Sequence, residues 1–264
     1  MNAASKLAWL VVGLTVLLYV GWALVPASAL YTGFLTPHRL LAIAAVFKLA
    51  GLLLGTVWAF ACRDRLESDN PARPAWLLLS LGLLATFAGQ LSLAPYQLVF
   101  GETPFPTPGD IFYVLAYPFL IAALLVFLNA YREAGLPMGS LAERALLLAL
   151  IGVVAIVILR PVAATPGPVL DRILTIAYPA LDLVLLVPLV LLLRMALRLR
   201  RSEAGEVWLL LLTGFVFLCA GDICFAYFQS LGEEHLDPFV HATFILAYAL
   251  IAGGARRQLR ILKS

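Results

Sequence analysis

A chain of 264 residues that is 63% hydrophobic and 12% charged is not an ordinary soluble domain, in which about a quarter of residues are charged. The mean hydropathy is +0.99, and apolar runs of roughly 20 residues recur throughout, each long enough to cross a bilayer as a helix. The net charge of +3 sits in residues that flank these runs and forms no separate basic patch, so no nucleic-acid partner is expected. The expected class is all-α: a polytopic membrane helical bundle whose first partner is the lipid bilayer.

Eight spans are predicted in chain order: Leu7–Val25, Arg39–Cys62, Ala75–Phe100, Asp110–Tyr131, Leu141–Leu159, Val169–Leu197, Val207–Ser230 and Phe239–Ala255. The first lacks a small-residue cleavage site followed by a soluble mature domain, so it reads as a retained span and not a signal peptide. Pro179 and Pro188 inside the sixth predict kinks or tilt. Cys62, Cys219 and Cys224 have no metal-ligand spacing and read as small packing residues.

Basic residues alternate from loop to loop. All of the 18 Lys and Arg except Arg39, Lys48, Arg160 and Arg172 fall at the N-terminus, the C-terminus or the loops after spans two, four and six. The positive-inside rule then places both termini in the cytoplasm. Glu102, Asp110, Asp171, Glu233, Glu234 and Asp237 fall on the outer side.

The chain reads as a single membrane domain, 1–264, with a candidate internal repeat of 1–132 and 133–264. A shift of about 131 residues lays Leu115-Ala116-Tyr117 on Leu246-Ala247-Tyr248. A shift of about 132 lays Ala88-Gly89-Gln90 on Ala220-Gly221-Asp222, and one near 133 lays Arg39 on Arg172. Two four-helix halves of this kind share one orientation and are related by an axis along the membrane normal.

Ionisable groups inside the bilayer cost several kcal/mol unless paired or hydrated, so each calls for a reason. Lys48 and Asp182 lie at similar mid-depth in spans two and six, and an ion pair between them would neutralise both. Gln90 and Asp222 share a depth near the outer ends of spans three and seven. Asp110 opens the fourth span and His241 the eighth. The bland explanation of Asp110 is a helix cap, since free N–H groups and the helix dipole favour a carboxylate there. Together with Tyr113, Tyr117, Tyr178, Tyr227 and Tyr248 these residues suggest an outward-facing polar pocket, although tyrosines also form interfacial belts.

Catalytic signatures are weak. There is no His-Glu-x-x-His, no prenyl-transferase-type acidic pair, no nucleophile motif and no phosphate loop. His38, His235 and His241 near Glu233, Glu234 and Asp237 are the only candidate metal ligands, and neither a metal nor a cofactor is assigned. A retinal Schiff base is disfavoured because the last span holds no lysine.

Several short motifs stand together: Pro104-Phe105-Pro106-Thr107-Pro108-Gly109-Asp110-Ile111-Phe112-Tyr113, Ala116-Tyr117-Pro118, Ala177-Tyr178-Pro179-Ala180-Leu181-Asp182-Leu183 and Gly221-Asp222-Ile223-Cys224-Phe225-Ala226-Tyr227. Over roughly Phe100 to Ala255 the chain resembles the multi-span N-terminal sensory region of bacterial GGDEF and EAL signalling proteins. The resemblance singles out Asp110, Tyr113, Tyr117, Pro118, Tyr178, Pro179, Asp182 and Asp222, and it implies a sensor. In that family the last span leads into cytoplasmic output domains, whereas this sequence stops at Ser264, so no cyclase or phosphodiesterase activity is carried over. The module then stands alone, acts on a separate partner, or is a piece of a longer protein.

The leading expectation is an integral membrane sensor that binds a small molecule from the outer side and signals to a cytoplasmic partner or a second copy. Its ligand-binding candidates are Lys48, Gln90, Asp110, Tyr113, Tyr117, Tyr178, Asp182, Asp222 and His241. A small-solute or lipid transporter comes next, then an intramembrane enzyme acting on lipid or isoprenoid, then a structural assembly subunit.

Overall fold

The computed structural model describes residues 3–26, 28, 30–102, 104–135, 141–164 and 168–263. Their long elements are α1 (Ala3–Leu24), α2 (Pro37–Arg65), α3 (Arg73–Pro95), α4 (Gly109–Glu133), α5 (Leu141–Ala164), α6 (Val169–Arg198), α7 (Glu203–Leu231) and α8 (Asp237–Ile261). Among the described residues there is no strand. Seven of the helices are long and apolar enough to cross a membrane, and the chain is a multi-pass integral membrane protein. The eighth, α5, has a shorter apolar stretch of Leu148–Pro161 among the described residues. Side chains at 141, 142, 144, 147, 158 and 162 lie outside the description.

Most helix ends extend a few residues past the predicted spans, because hydropathy marks only the apolar part of a helix, whereas α1 stops one residue short and α3 gives way after Pro95 to the π-helical turn Tyr96–Phe100. The starts follow local chemistry. Thr36 accepts from the Arg39 N–H at 3.5 Å, with Pro37 in the first turn of α2. Ser202 accepts from the Gly205 N–H at 3.1 Å and opens α7, whose first turn carries Glu203 and Glu206. Gly232, at φ 72°, ends α7 in the left-handed conformation that other residues avoid. Through Pro179 and Pro188 α6 continues as one helix.

Six helices close into a ring. In order, α2 packs on α3, α3 on α4, α4 on α6, α6 on α7, α7 on α8, and α8 back on α2. Outside the ring, α1 packs on α8 and α5 on α6 and α7. The Tyr19 hydroxyl donates to the Leu40 carbonyl, so α1 also touches α2. The ring has two ends: a rim end, where α2, α4, α6 and α8 begin, and an arginine-rich end, where they finish.

At the arginine-rich end the ring is filled. Trp76, Phe127 and Trp208 meet edge to face, at ring-centre distances of 5.5 and 4.8 Å, and the Trp208 indole N–H donates to the Tyr131 hydroxyl. Leu79, Leu124, Leu185, Leu189, Leu212 and Phe215 pack around them, all buried.

Helix pairs separated by 131–132 residues make corresponding contacts. A methyl group built on Gly82 of α3 would stand 2.7 Å from Leu120 Cγ of α4, and one on Gly214 of α7 would stand 2.7 Å from Ile251 Cγ1 of α8. A methyl on Gly89 would stand 2.9 Å from the Tyr113 ring, and one on Gly221 2.9 Å from the Phe244 ring. Small residues thus set the close approach of α3 to α4 and of α7 to α8. The α2–α8 contact likewise mirrors α6–α4. The outer helices break the pattern, since α1 covers α8 while α5 covers α6 and α7.

Candidate functional site

Above the filled end, the ring encloses a cavity of about 840 Å³ that reaches the rim end. Every helix of the ring contributes to its wall. Eight of the nine candidate residues line it: Lys48, Gln90, Asp110, Tyr113, Tyr117, Tyr178, Asp222 and His241. The ninth, Asp182, lies fully buried directly behind Tyr117. Tyr248 also lines the cavity, whereas Tyr227 is exposed at the outside of α7.

The acidic wall is built by α4, α6 and α7. Asp110, in the first turn of α4, holds the proline-rich turn: its Oδ2 accepts from the Thr107 N–H at 2.5 Å and from the Thr107 hydroxyl at 3.1 Å. Its Oδ1 accepts from the Tyr178 hydroxyl of α6 at 2.5 Å. The carboxylate thus ties down the turn before the helix, whose N-cap position is Pro108 without a side-chain bond, and it lines the cavity as well. Two turns deeper, Tyr117 Oη lies 3.0 Å from Asp182 Oδ1 of α6 and 3.3 Å from Asp222 Oδ2 of α7. One hydroxyl thus joins three helices. Among the described residues no nitrogen or oxygen donor meets the buried Asp182 Oδ2, and the buried Cys219 thiol lies beside this carboxyl.

The basic wall is built by α2 and α8. Lys48 is 3% exposed and faces the cavity from α2. His241 of α8 is near enough to interact with it electrostatically, and its ring meets Tyr19 edge to face with centres 6.0 Å apart. His241 Nδ1 is buried with no hydrogen-bond partner. The Lys48–Asp182 ion pair that similar depth would allow does not form. No carboxylate among the described residues pairs with Lys48. Similar depth does not imply contact here, because α2 and α6 stand on opposite sides of the ring and Asp182 turns toward Tyr117.

Between the walls, α3 gives Gln90, whose amide donates to Gln97 Oε1 at 3.0 Å and whose Oε1 lies 3.3 Å from the Tyr113 hydroxyl. Gln97 was not among the predicted residues, although its spacing of seven from Gln90, two helical turns, places the pair on one face. Phe105, Phe225 and Phe244 are further lining residues that polarity could not reveal.

The three histidines do not converge. His38 Nε2 sits 2.9 Å from the Leu98 carbonyl, and His235 Nδ1 is 3.1 Å from a Glu233 carboxylate oxygen. Among the described residues no group of three or more His, Cys, Asp or Glu could hold a metal, and the Glu234 side chain lies outside the description. Compared with known proteins, the chain matches no family model, no curated protein and no solved structure.

Proposed function

We propose that the protein is a membrane sensor that binds a small molecule in the ring cavity and reports its presence at the arginine-rich end. The observation that supports this is the cavity wall. Lys48, Gln90, Asp110, Asp222 and His241 all face one space, and such groups are costly in a membrane bundle unless a function retains them. The distribution of basic residues supports a cytoplasmic arginine-rich end and an outer cavity mouth, and the resemblance supports a bacterial inner membrane. The resemblance over Phe100 to Ala255 points the same way.

The path to the cytoplasm is α8. It presents His241, Phe244 and Tyr248 to the cavity, and near its other end Arg257 pairs with Glu203 at 3.1 Å and Glu206 at 3.0 Å. A ligand that favours one position of α8 shifts that clip by the same free energy with which it discriminates the two positions. The readout is a cytoplasmic partner or a second copy of the chain.

Purified protein in nanodiscs, screened by thermal shift against small polar metabolites, tests the reading. A stabilising ligand should lose its effect in Asp222→Asn and Asp110→Asn while both variants stay folded. Unchanged shifts in both would remove the cavity from consideration.

A small-solute transporter is the second reading, favoured by the corresponding contacts of the two halves around a central site, an arrangement suited to alternating access. Flux of a bound ligand into proteoliposomes separates the two, since a sensor moves nothing.

A further inference from the structure

We infer that the cavity takes a dipolar small molecule, its anionic group at the wall of α2 and α8 and its cationic group at the wall of α4, α6 and α7. The inference rests on the cavity being a ligand site, and it names the ligand's chemistry.

Below the mouth, where α6 adds Asp171 and Arg172 and α8 adds Asp237, the two walls correspond in scaffold and oppose each other in charge. The α2–α8 and α6–α4 contacts are equivalent under the 131–133 residue shift. Yet where α8 carries His241, α4 carries Asp110, and where α3 carries Gln90, α7 carries Asp222. Lys48 of α2 stands at nearly the depth of Asp182 of α6. Matched packing with unmatched charge is what a ligand with two unlike ends requires of a duplicated frame.

The opposed groups do not neutralise each other. Among the described residues Lys48 is buried without a carboxylate partner, and Asp222 reaches only the Tyr117 hydroxyl. Buried charges are ordinarily paired, and the cavity lies between these two sets. A simple amine would answer Asp222 and leave Lys48 uncompensated; a simple anion would do the reverse. Only a molecule carrying both groups satisfies both walls. Tyr113, Phe244 and Tyr248 offer ring faces along the way, suited to a methylene spacer or to the cationic end itself.

Two sources supply this chemistry: a free amino carboxylate, or a zwitterionic lipid headgroup. The test is isothermal titration of the full chain in nanodiscs with ω-amino carboxylates of increasing length, with the matching n-alkylamines and n-alkanoates, and with glycerophosphoethanolamine. One amino carboxylate length, or the headgroup, should bind at least about tenfold more tightly than either singly charged analogue, the scale of a buried charge losing its partner. Tighter binding of the amino carboxylate identifies a free solute; tighter binding of the headgroup identifies lipid. Lys48→Met should reduce the dipolar probe to the level of the alkylamine, and Asp222→Asn to that of the alkanoate. Lys48→Met removes an unpaired charge, so it should fold at least as stably as the parent. Equal binding of a singly charged analogue, or no binding by any dipolar probe, overturns the inference. If a metabolite screen still finds a ligand sensitive to Asp222→Asn, the sensor reading survives that failure.

Discussion

Tyr117 has one hydroxyl proton and two carboxylate neighbours on different helices. Replacing it with Phe strips both oxygens of their shared partner, and Asp182 lies fully buried behind it, out of reach of replacement by cavity water. Tyr117→Phe should therefore destabilise the folded protein by about 1–3 kcal/mol, read from thermal or denaturant unfolding in micelles. Tyr113 bonds only Gln90, at 3.3 Å and beside the cavity, where water can replace it. Tyr113→Phe should cost less than about 1 kcal/mol. Equal effects would mean that the three-oxygen bridge carries no stability. Lys48→Met should raise the unfolding temperature of the ligand-free protein, because a buried charge without a partner is a stability cost kept for function. At this scale much of the cavity lining was legible. Ionisable residues inside apolar runs stand out, and Asp110, Asp222, Lys48 and His241 were found that way. The partner of Asp182 was not legible, because hydropathy reports depth and says nothing about which way around the helix a side chain faces. Gln97 was missed for a related reason: it sits in the π-helical turn Tyr96–Phe100, at a polar-tolerant end of the span.

Among the elements, the glycine contacts set helix spacing, and they differ in how much they can yield. A methyl at Gly214 would meet the backbone of α8, 2.8 Å from the Ala247 carbonyl oxygen and 3.0 Å from the Ile251 nitrogen. At Gly82 the nearest atoms belong to the Leu120 side chain, which can rotate away. Gly214→Ala should cost about 1–3 kcal/mol of stability, and Gly82→Ala clearly less, in the same unfolding assay. Gly89→Ala acts on function more than on stability, since the added methyl pushes the Tyr113 ring toward the cavity. Its expected result is weakened ligand binding with a nearly unchanged melting temperature. Element existence followed from the apolar runs, whose length and composition demand membrane helices. The extent of each helix did not, because caps such as Thr36 and Ser202 begin it outside the hydrophobic stretch.

For the whole molecule, the order of helices around the ring was beyond sequence reasoning. Apolar faces turned to lipid and apolar faces turned to neighbours have the same composition, so hydropathy carries no neighbour list. The approximate 131–133 residue shift hinted at it, through Gly89 and Gly221, but α1 and α5 depart from that relation. The filled end should dominate stability. Phe127→Ala removes the ring that joins Trp76 and Trp208, and a cost of about 3 kcal/mol is expected. The low end of the range for buried aromatics applies, because helices separated in lipid remain in an apolar solvent. The proposed orientation has its own check. Ser230→Cys, at the cavity rim, should react with an impermeant maleimide added to intact cells, whereas Ser202→Cys should react only after permeabilisation.

The Arg257 clip joins the last turns of α8 to the first turn of α7 through a half-buried arginine and two largely exposed glutamates. Such pairs contribute little to stability and are screened by dissolved ions, with a Debye length falling from about 8 Å at physiological ionic strength to about 3 Å at 1 M. The Asp110–Tyr178 and Tyr117–Asp182 contacts are short-range hydrogen bonds at 2.5 and 3.0 Å, which screening weakens far less than an exposed ion pair. Raising the salt concentration should therefore loosen one end of a single helix bundle and leave the other untouched. Hydrogen exchange read at the amides of 255–261 should quicken with added salt, while exchange at 113–120 stays constant.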